Sequence, residues 1–394
     1  MRHLTLVLLC ALLVVVCVPV GALDLKSPAA VLMDARSGRI LYAHNAEEPR
    51  AIASLTKIMT LVLVLEDVAA GVVNLDELVV ASPYASSMTG TRIWLEPYEK
   101  MTVKELIYSV AVGSANDGAV ALAEHLAGSE AEFAQRMNQR ALELGLTNTS
   151  FANVTGLPAE YTAQEATNYS TALDLAKLCR HALSVPGLLE ALSTYHYSVR
   201  EGRKPQIELY NLNKLLERTV GGKTYGYSGV DGFKTGTTTE AGYCIAVTAL
   251  RDNLRLIAVV LGAESEDQRL QEASSLLDYG FRNFQAQLVT AKGDFRLPVS
   301  VPLSATDQVD AVLGADFYVT LPKGDTGQVE MEVVIHEDLV APLDQGQVIG
   351  YLVCKRDGEE LARAELLASD PVERGNILHI TYYTLRNMLT NLFQ

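Results

Sequence analysis

Ser54 and Lys57 stand three residues apart in Ala53-Ser54-Leu55-Thr56-Lys57-Ile58-Met59-Thr60, a stretch free of glycine and proline. Residues three apart on a helix share a face, so this spacing brings an amine within reach of a hydroxyl. A serine hydroxyl needs a base to become a nucleophile, and lysine is a poor one at its free pKa of about 10. Desolvation and a second cation nearby both lower that value, because both disfavour the charged form. Lys234, which opens Lys234-Thr235-Gly236, is the candidate for the second cation. Two lysines so coupled titrate as a pair. The third pattern is Ser114-Ala115-Asn116, read as a connector between two helices, where Ser114 can relay a proton to a leaving amine and Asn116 can hold a substrate amide.

Val230 to Lys234 reads as a strand, and Gly236 behind it would let an extended substrate lie against the backbone. Lys234 and Thr235 together offer an ammonium and a hydroxyl, which suits an anion such as a peptide's C-terminal carboxylate. The backbone N–H groups of Ser54 and Thr237 are the natural donors to a developing oxyanion if strand and helix adjoin. The catalytic set is thus Ser54, Lys57, Ser114 and Asn116, with Lys234, Thr235, Gly236 and Thr237 on the substrate side.

None of the three patterns is specific alone; average usage yields on the order of one Ser-x-x-Lys per chain of this size by accident. Here each occurs once, in this order, 60 and 120 residues apart. Bland readings exist for each: a helix cap for Ser54 or Asn116, and a surface strand lysine for Lys234. Lys223-Thr224-Tyr225 shows how easily an incomplete decoy arises.

With these motifs the chain resembles the low-molecular-mass penicillin-binding proteins that act as serine-type D-alanyl-D-alanine carboxypeptidases, and the resemblance spans nearly the whole mature chain. Gly113-Ser114-Ala115-Asn116-Asp117, Asn168-Tyr169-Ser170-Thr171-Ala172, Asn211-Leu212-Asn213, Gly229 to Gly236 and Ala241-Gly242-Tyr243 are similar to signatures of that family. The resemblance implies an acyl-enzyme on Ser54, release of the terminal D-alanine from peptidoglycan pentapeptide stems, and acylation of the same serine by β-lactams. It implies no cofactor. The chain departs from the family at Ala115, where glycine is common, at Asn168, where histidine is common, and at Thr237, where an aromatic residue or histidine is common.

The elements that must position these residues are legible in outline. Ala29 to Met33 and Arg39 to Tyr42 read as a hairpin around a turn-rich connector. A helix is expected from about Ser54 to Glu66 and another from Val103 to about Val112, with helices dominating to about Leu192. Strands return at Val230 to Lys234, Tyr243 to Leu250 and Leu254 to Ala263, and Arg269 to Phe281 reads as a closing helix. Strands at both ends of a helical middle predict one α/β domain whose terminal strands share a sheet. The resemblance makes this a β-lactamase/transpeptidase-like domain, an antiparallel sheet flanked by helices plus a helical subdomain, over residues 23–284. Short alternating runs separated by Gly, Pro and Asp then predict a small β-rich domain over 285–373. Leu378, Tyr382, Leu385, Leu389 and Leu392 form one apolar helical stripe, read as a C-terminal amphipathic anchor over 374–394 on the outer face of the cytoplasmic membrane.

Arg2 and His3 precede an apolar run from Leu4 to Val18 and the small residues Gly21 and Ala22, the pattern of a signal peptide cleaved after Ala22. The protein is accordingly expected outside the cytoplasm, at the membrane and cell wall. Losing residues 1–22 removes Arg2 and no acidic residue, so the net charge moves from −15 to −16, which argues against nucleic acid. Cys179, Cys244 and Cys354 remain, too few and too scattered for a disulfide framework, and the histidines form no metal-binding spacing. Three Asn-x-Ser/Thr triplets, at Asn148, Asn153 and Asn168, read as chance.

Three other functions remain open. A DD-endopeptidase differs only in its leaving group. A class A-like β-lactamase needs a glutamate-activated water, and Glu165-Ala166-Thr167-Asn168 is one residue short of the Glu-x-x-x-Asn arrangement. A wall-binding scaffold would require a lost catalytic residue, and none is missing.

Overall fold

The structure is a computed structural model that describes residues 23–161, 166–203, 205–325, 327–376 and 381. The expected signal segment, Glu165 and nearly all of the expected C-terminal helix lie outside the described residues.

The chain opens with the hairpin β1 (Ala29–Asp34) and β2 (Ile40–His44). The Asp34 carboxylate accepts from the N–H groups of Arg36 and Ser37 and closes the turn between them. Every residue of β1 is buried, because both of its faces are covered. Successive side chains alternate between the faces: Ala29, Val31 and Met33 enter one core, Ala30 and Leu32 the other. Such a strand carries no polar alternation, and its sequence is apolar from Ala29 to Met33.

The helical part follows: α1 (Lys57–Ala69), α2 (Val103–Gly113), α3 (Asn116–Ala127), α4 (Glu130–Glu143) and α5 (Ala172–Ala182). Buried from Lys57 to Leu65, α1 runs through the middle of the domain, which explains why it is apolar nearly all round. Burial of each Leu or Ile there contributes about 1.5–3 kcal/mol. A capping box starts α2, with Glu105 N–H donating to Thr102 Oγ1 and Thr102 N–H to the Glu105 carboxylate.

A short hairpin, β3 (His196–Val199) and β4 (Ile207–Tyr210), leads to β5 (Val230–Thr238), β6 (Gly242–Arg251) and β7 (Leu254–Ala263). The order in the main sheet is β5-β6-β7-β1-β2, all neighbours antiparallel. The terminal strands do share one sheet, with Ala29 opposite Leu261 and Asp34 opposite Leu256. The closing helix α6 (Glu266–Asn283) starts three residues earlier than expected, where Ser265 caps it. It docks closely on the sheet: a Cβ at Gly280 would meet Leu256 at 2.4 Å and Leu32 at 2.9 Å.

Beyond α6 a second unit has its own core around Val309, Phe317, Leu352 and Leu366. It pairs β8 (Phe284–Thr290) with β11 (Phe317–Pro322), and stacks the strands β9 (Arg296–Ser300), β10 (Gln308–Leu313), β12 (Glu330–Ile335), β13 (Val348–Arg356) and β14 (Glu359–Ala368) in the order β9-β10-β14-β13-β12. Arg36 lies 4.7 Å from the Tyr318 ring and links the two units. Among the described residues no helix is long and apolar enough to cross a membrane.

Candidate active site

The chain reaches Ser54 through a sharp change of direction. Ala53 has φ +45°, which side chains other than glycine rarely adopt, and Leu55 N–H bonds back to the Ile52 carbonyl. The expected helix therefore starts as a tighter 3₁₀ turn, Ala53–Thr56, before α1 takes over at Lys57. Lys57 Nζ lies 3.0 Å from Ser54 Oγ and donates to the Thr155 carbonyl at 2.7 Å. No part of Lys57 is exposed. Burial pushes its pKa well below the usual lysine range, and the charge of Lys234 pushes it further, against the carboxylates of Asp117 and Glu130. A buried amine driven toward neutrality beside a hydroxyl is placed to act as a general base.

Lys234, 2 % exposed on β5, is held at about 7 by burial first and by the neighbouring Arg269 charge second. Thr235 is buried beside it. Gly236 has a different reason from the one its motif suggests. A Cβ there would stand 2.8 Å from Ser54 N, 3.0 Å from the Ile52 carbonyl and 3.1 Å from Ala53 Cβ, so the glycine lets β5 press against the Ser54 turn. This approach sets β5 against the Ser54 N–H, with Thr237 the next residue along the strand.

Ser114 ends α2 with φ +58°, and Asn116 opens α3. The cap position of α3 is Ala115 and no side chain caps it, so capping does not explain Asn116. Asn116 Nδ2 donates to the Thr89 carbonyl at 2.6 Å, and its N–H to the Thr91 carbonyl at 2.8 Å. Among the described residues Ser114 Oγ and Asn116 Oδ1 are buried without a hydrogen-bond partner. Both residues line a cleft of about 570 Å³ that also holds Ser54, Thr235, Gly236 and Thr237. Unpaired buried polar atoms cost about 1–3 kcal/mol each, and in a cleft they are free to bond a ligand. A larger hollow of about 860 Å³, between the β1–β2 turn and α5, shares no lining residue with the cleft.

The cleft is lined by six of the motif residues, Ser54, Ser114, Asn116, Thr235, Gly236 and Thr237, with Lys57 and Lys234 buried beside it. Sequence reasoning missed the frame around them. Asn153 Oδ1 accepts from Thr155 N–H, Thr155 Oγ1 and Gly156 N–H, folding the loop that presents the Thr155 carbonyl to Lys57. Asn168 Oδ1 accepts from the N–H groups of Ala152 and Asn153, while its Nδ2 donates to Thr56 Oγ1 and the Asn153 carbonyl. A Cβ at Gly156 would come within 1.8 Å of the Ala53 carbonyl oxygen, which ties this loop to the turn before Ser54. Asn153 and Asn168, set aside as chance triplets, are thus two struts of the site; Asn168 also sits in a signature position, the one available signal. Arg269 was missed as well. It is 4 % exposed and donates to the Gly236 carbonyl and to Thr237 Oγ1, placing a guanidinium behind the β5 side of the cleft. Asn211 lines the cleft but spends its amide on the Leu192 and Thr194 carbonyls. Lys223, the decoy, is exposed on a separate hairpin. Among the described residues no group of three His, Cys, Asp or Glu side chains is placed to hold a metal.

A family model described as D-alanyl-D-alanine carboxypeptidase matches residues 17–265, and one described as penicillin-binding protein 5, C-terminal domain, matches residues 284–374. The curated D-alanyl-D-alanine carboxypeptidase DacF of Bacillus subtilis (strain 168) is 35% identical over 354 residues, which is 90% of this chain and 87% of that protein. Among solved structures, a peptidoglycan synthesis regulatory factor (PBP3) from Streptococcus pneumoniae is 29% identical with a TM-score of 0.72, the match covering 89% of this chain and 100% of that one. Penicillin-binding protein D2 from Listeria monocytogenes, solved in an ampicillin-bound form, is 31% identical with a TM-score of 0.57, covering 66% of this chain and 99% of that one.

Proposed function

The chain belongs to the D-alanyl-D-alanine carboxypeptidase family, and from that membership we propose that it removes the terminal D-alanine of peptidoglycan stems through an acyl-enzyme on Ser54. It is a serine-type hydrolase acting on peptidoglycan. The observation that carries the residue assignment is the buried Lys57 amine 3.0 Å from Ser54 Oγ, beside two unpaired polar atoms that line the same cleft.

The stem peptide lies along β5 with its terminal carboxylate at Lys234 and the Thr235 hydroxyl, and Arg269 adds positive potential from behind. Neutral Lys57 takes the Ser54 proton as Oγ attacks the carbonyl of the penultimate D-alanine. The N–H groups of Ser54 and Thr237 stabilise the resulting oxyanion. Asn116 Oδ1 accepts from the substrate amide. The proton moves from Lys57 through Ser114 Oγ to the leaving nitrogen, and free D-alanine departs. Water then attacks the Ser54 ester, and the shortened stem is released. A β-lactam acylates Ser54 by the same attack on its ring carbonyl, but its leaving nitrogen stays tethered.

Residues 1–22 act as a cleaved export signal and residues 374–394 as an amphipathic anchor on the outer face of the cytoplasmic membrane; the apolar run at the start and the leucine stripe at the end support this reading. A DD-endopeptidase would use the same acyl-enzyme with another leaving group, so the deciding experiment reads the product. Mass spectrometry of a soluble pentapeptide digest is expected to show loss of one alanine, and Ser54→Ala to abolish both this loss and labelling by fluorescent penicillin. Persistent labelling of Ser54→Ala would refute the nucleophile.

A further inference from the structure

The loop from Thr89 to Glu99 carries the two most unusual surface residues near the cleft. Trp94, the single tryptophan of the chain, has φ +52° and is 60 % exposed; Tyr98 has φ +67° and is 71 % exposed. Left-handed backbone is rare for bulky side chains, and a turn alone would be served better by Gly or Asn. Neither residue belongs to a buried core cluster, so most of each aromatic group is left facing solvent.

The backbone beneath them is nevertheless held firmly. The buried Asp117 carboxylate accepts from Ile93 N–H and Leu95 N–H on either side of Trp94. Arg200, 3 % exposed, donates to the Ile93 carbonyl at 3.0 Å and the Trp94 carbonyl at 3.2 Å, and its charge is paired with Glu99. Ile93 and Leu95 are themselves buried, which leaves Trp94 to point outward between two anchored neighbours. Tyr98 N–H bonds to the Ala81 carbonyl. Strained residues held in place by the structure around them cluster at active sites, ligand clamps and switch regions.

The loop is continuous with the cleft. Gly90 and Thr91 line it, Thr91 Oγ1 donates to the Ser114 carbonyl, and Asn116 bonds to the Thr89 and Thr91 carbonyls. A stem peptide bound at Ser54 is joined to a glycan strand, and the few residues between span roughly 3.5 Å each, so the sugars lie just outside the cleft. Sugar rings present apolar C–H faces that stack on aromatic side chains, with hydroxyls left for a polar rim. Exposed Thr91, Glu96 and Lys100 supply such a rim. The size fits a saccharide better than a protein: a Trp and a Tyr bury about 150–250 Å² each, well below the roughly 800 Å² per partner of a stable protein interface.

We propose that Trp94 and Tyr98 form an aromatic ledge that stacks on the glycan strand of peptidoglycan and feeds the attached stem to Ser54. This rests on the carboxypeptidase reading and adds a polymer-binding site to it. Because Trp94 is the only tryptophan, its fluorescence reports on the ledge directly. Titration with a peptide-free β-1,4-linked N-acetylglucosamine–N-acetylmuramic acid oligosaccharide is expected to give a saturable change in Trp emission. Tyr98→Gly, which puts the preferred residue at a left-handed position, should weaken that binding by on the order of tenfold without lowering the melting temperature. The pair Trp94→Asn and Tyr98→Gly should lower kcat/KM on glycan-attached pentapeptide by on the order of tenfold or more, leaving free pentapeptide hydrolysis and penicillin labelling of Ser54 unchanged. Emission unmoved by the oligosaccharide, or equal losses on free and glycan-attached peptide, would overturn the ledge. Failure of wild-type protein to release alanine from free pentapeptide would instead count against the carboxypeptidase reading.

Discussion

Gly236→Ala tests the contact on which the proposed oxyanion site depends. The added Cβ would sit 2.8 Å from Ser54 N, 3.0 Å from the Ile52 carbonyl oxygen and 3.1 Å from Ala53 Cβ. Ordinary non-bonded contact begins at about 3.5 Å, so β5 and the Ser54 turn must separate by roughly 0.5–0.7 Å. All three atoms belong to the backbone or to Cβ, so no flexible side chain can absorb the shift. The movement takes Thr237 N–H away from Ser54 N–H, and both donors cannot then reach one oxyanion. Loss of one such donor costs about 2.7–4 kcal/mol of transition-state stabilisation, or about 10²–10³ in rate. Overpacking should cost about 1–3 kcal/mol of stability in addition. Stopped-flow acylation by fluorescent penicillin reads the first effect, and thermal unfolding the second. A folded Gly236→Ala protein that acylates at the wild-type rate would show that the strand is not pressed against the nucleophile, and the argument would fail.

Two further outcomes follow from the same structure. On the proposed mechanism Lys234 binds the substrate carboxylate only as an ammonium, and burial holds it at about 7 in the free enzyme, so kcat/KM on pentapeptide should fall on the alkaline side as that proton leaves. Lys234→Arg should move this limb upward, since a guanidinium stays charged; an unmoved limb would assign it to another group. Deleting residues 376–394 should release the protein from the membrane fraction while leaving penicillin labelling intact, and unchanged membrane association would remove the anchor.

The sequence alone carried much of the site. Ser54, Lys57, Ser114, Asn116 and Lys234 were legible as candidates because three short patterns each occur once, in one order, and a serine nucleophile calls for those residue types. The α/β class was legible too, since the apolar runs of β1, β6 and β7 at opposite ends of a helical middle had to meet in one sheet. The frame was not legible. Asn153, Asn168 and Arg269 act through hydrogen bonds to backbone atoms distant in sequence, as in the 112-residue separation of Asn168 Nδ2 from Thr56 Oγ1. An asparagine that braces a loop and one that sits in any turn are the same letter, and no local spacing separates them. Gly236 shows the division most clearly. The sequence determined that a glycine follows Lys234-Thr235, and that the chain can place a nucleophile, a base and an anion-binding pair. Only the tertiary structure decided that the missing Cβ makes room for the nucleophile's own turn, because that requirement comes from two backbones 182 residues apart brought within contact distance.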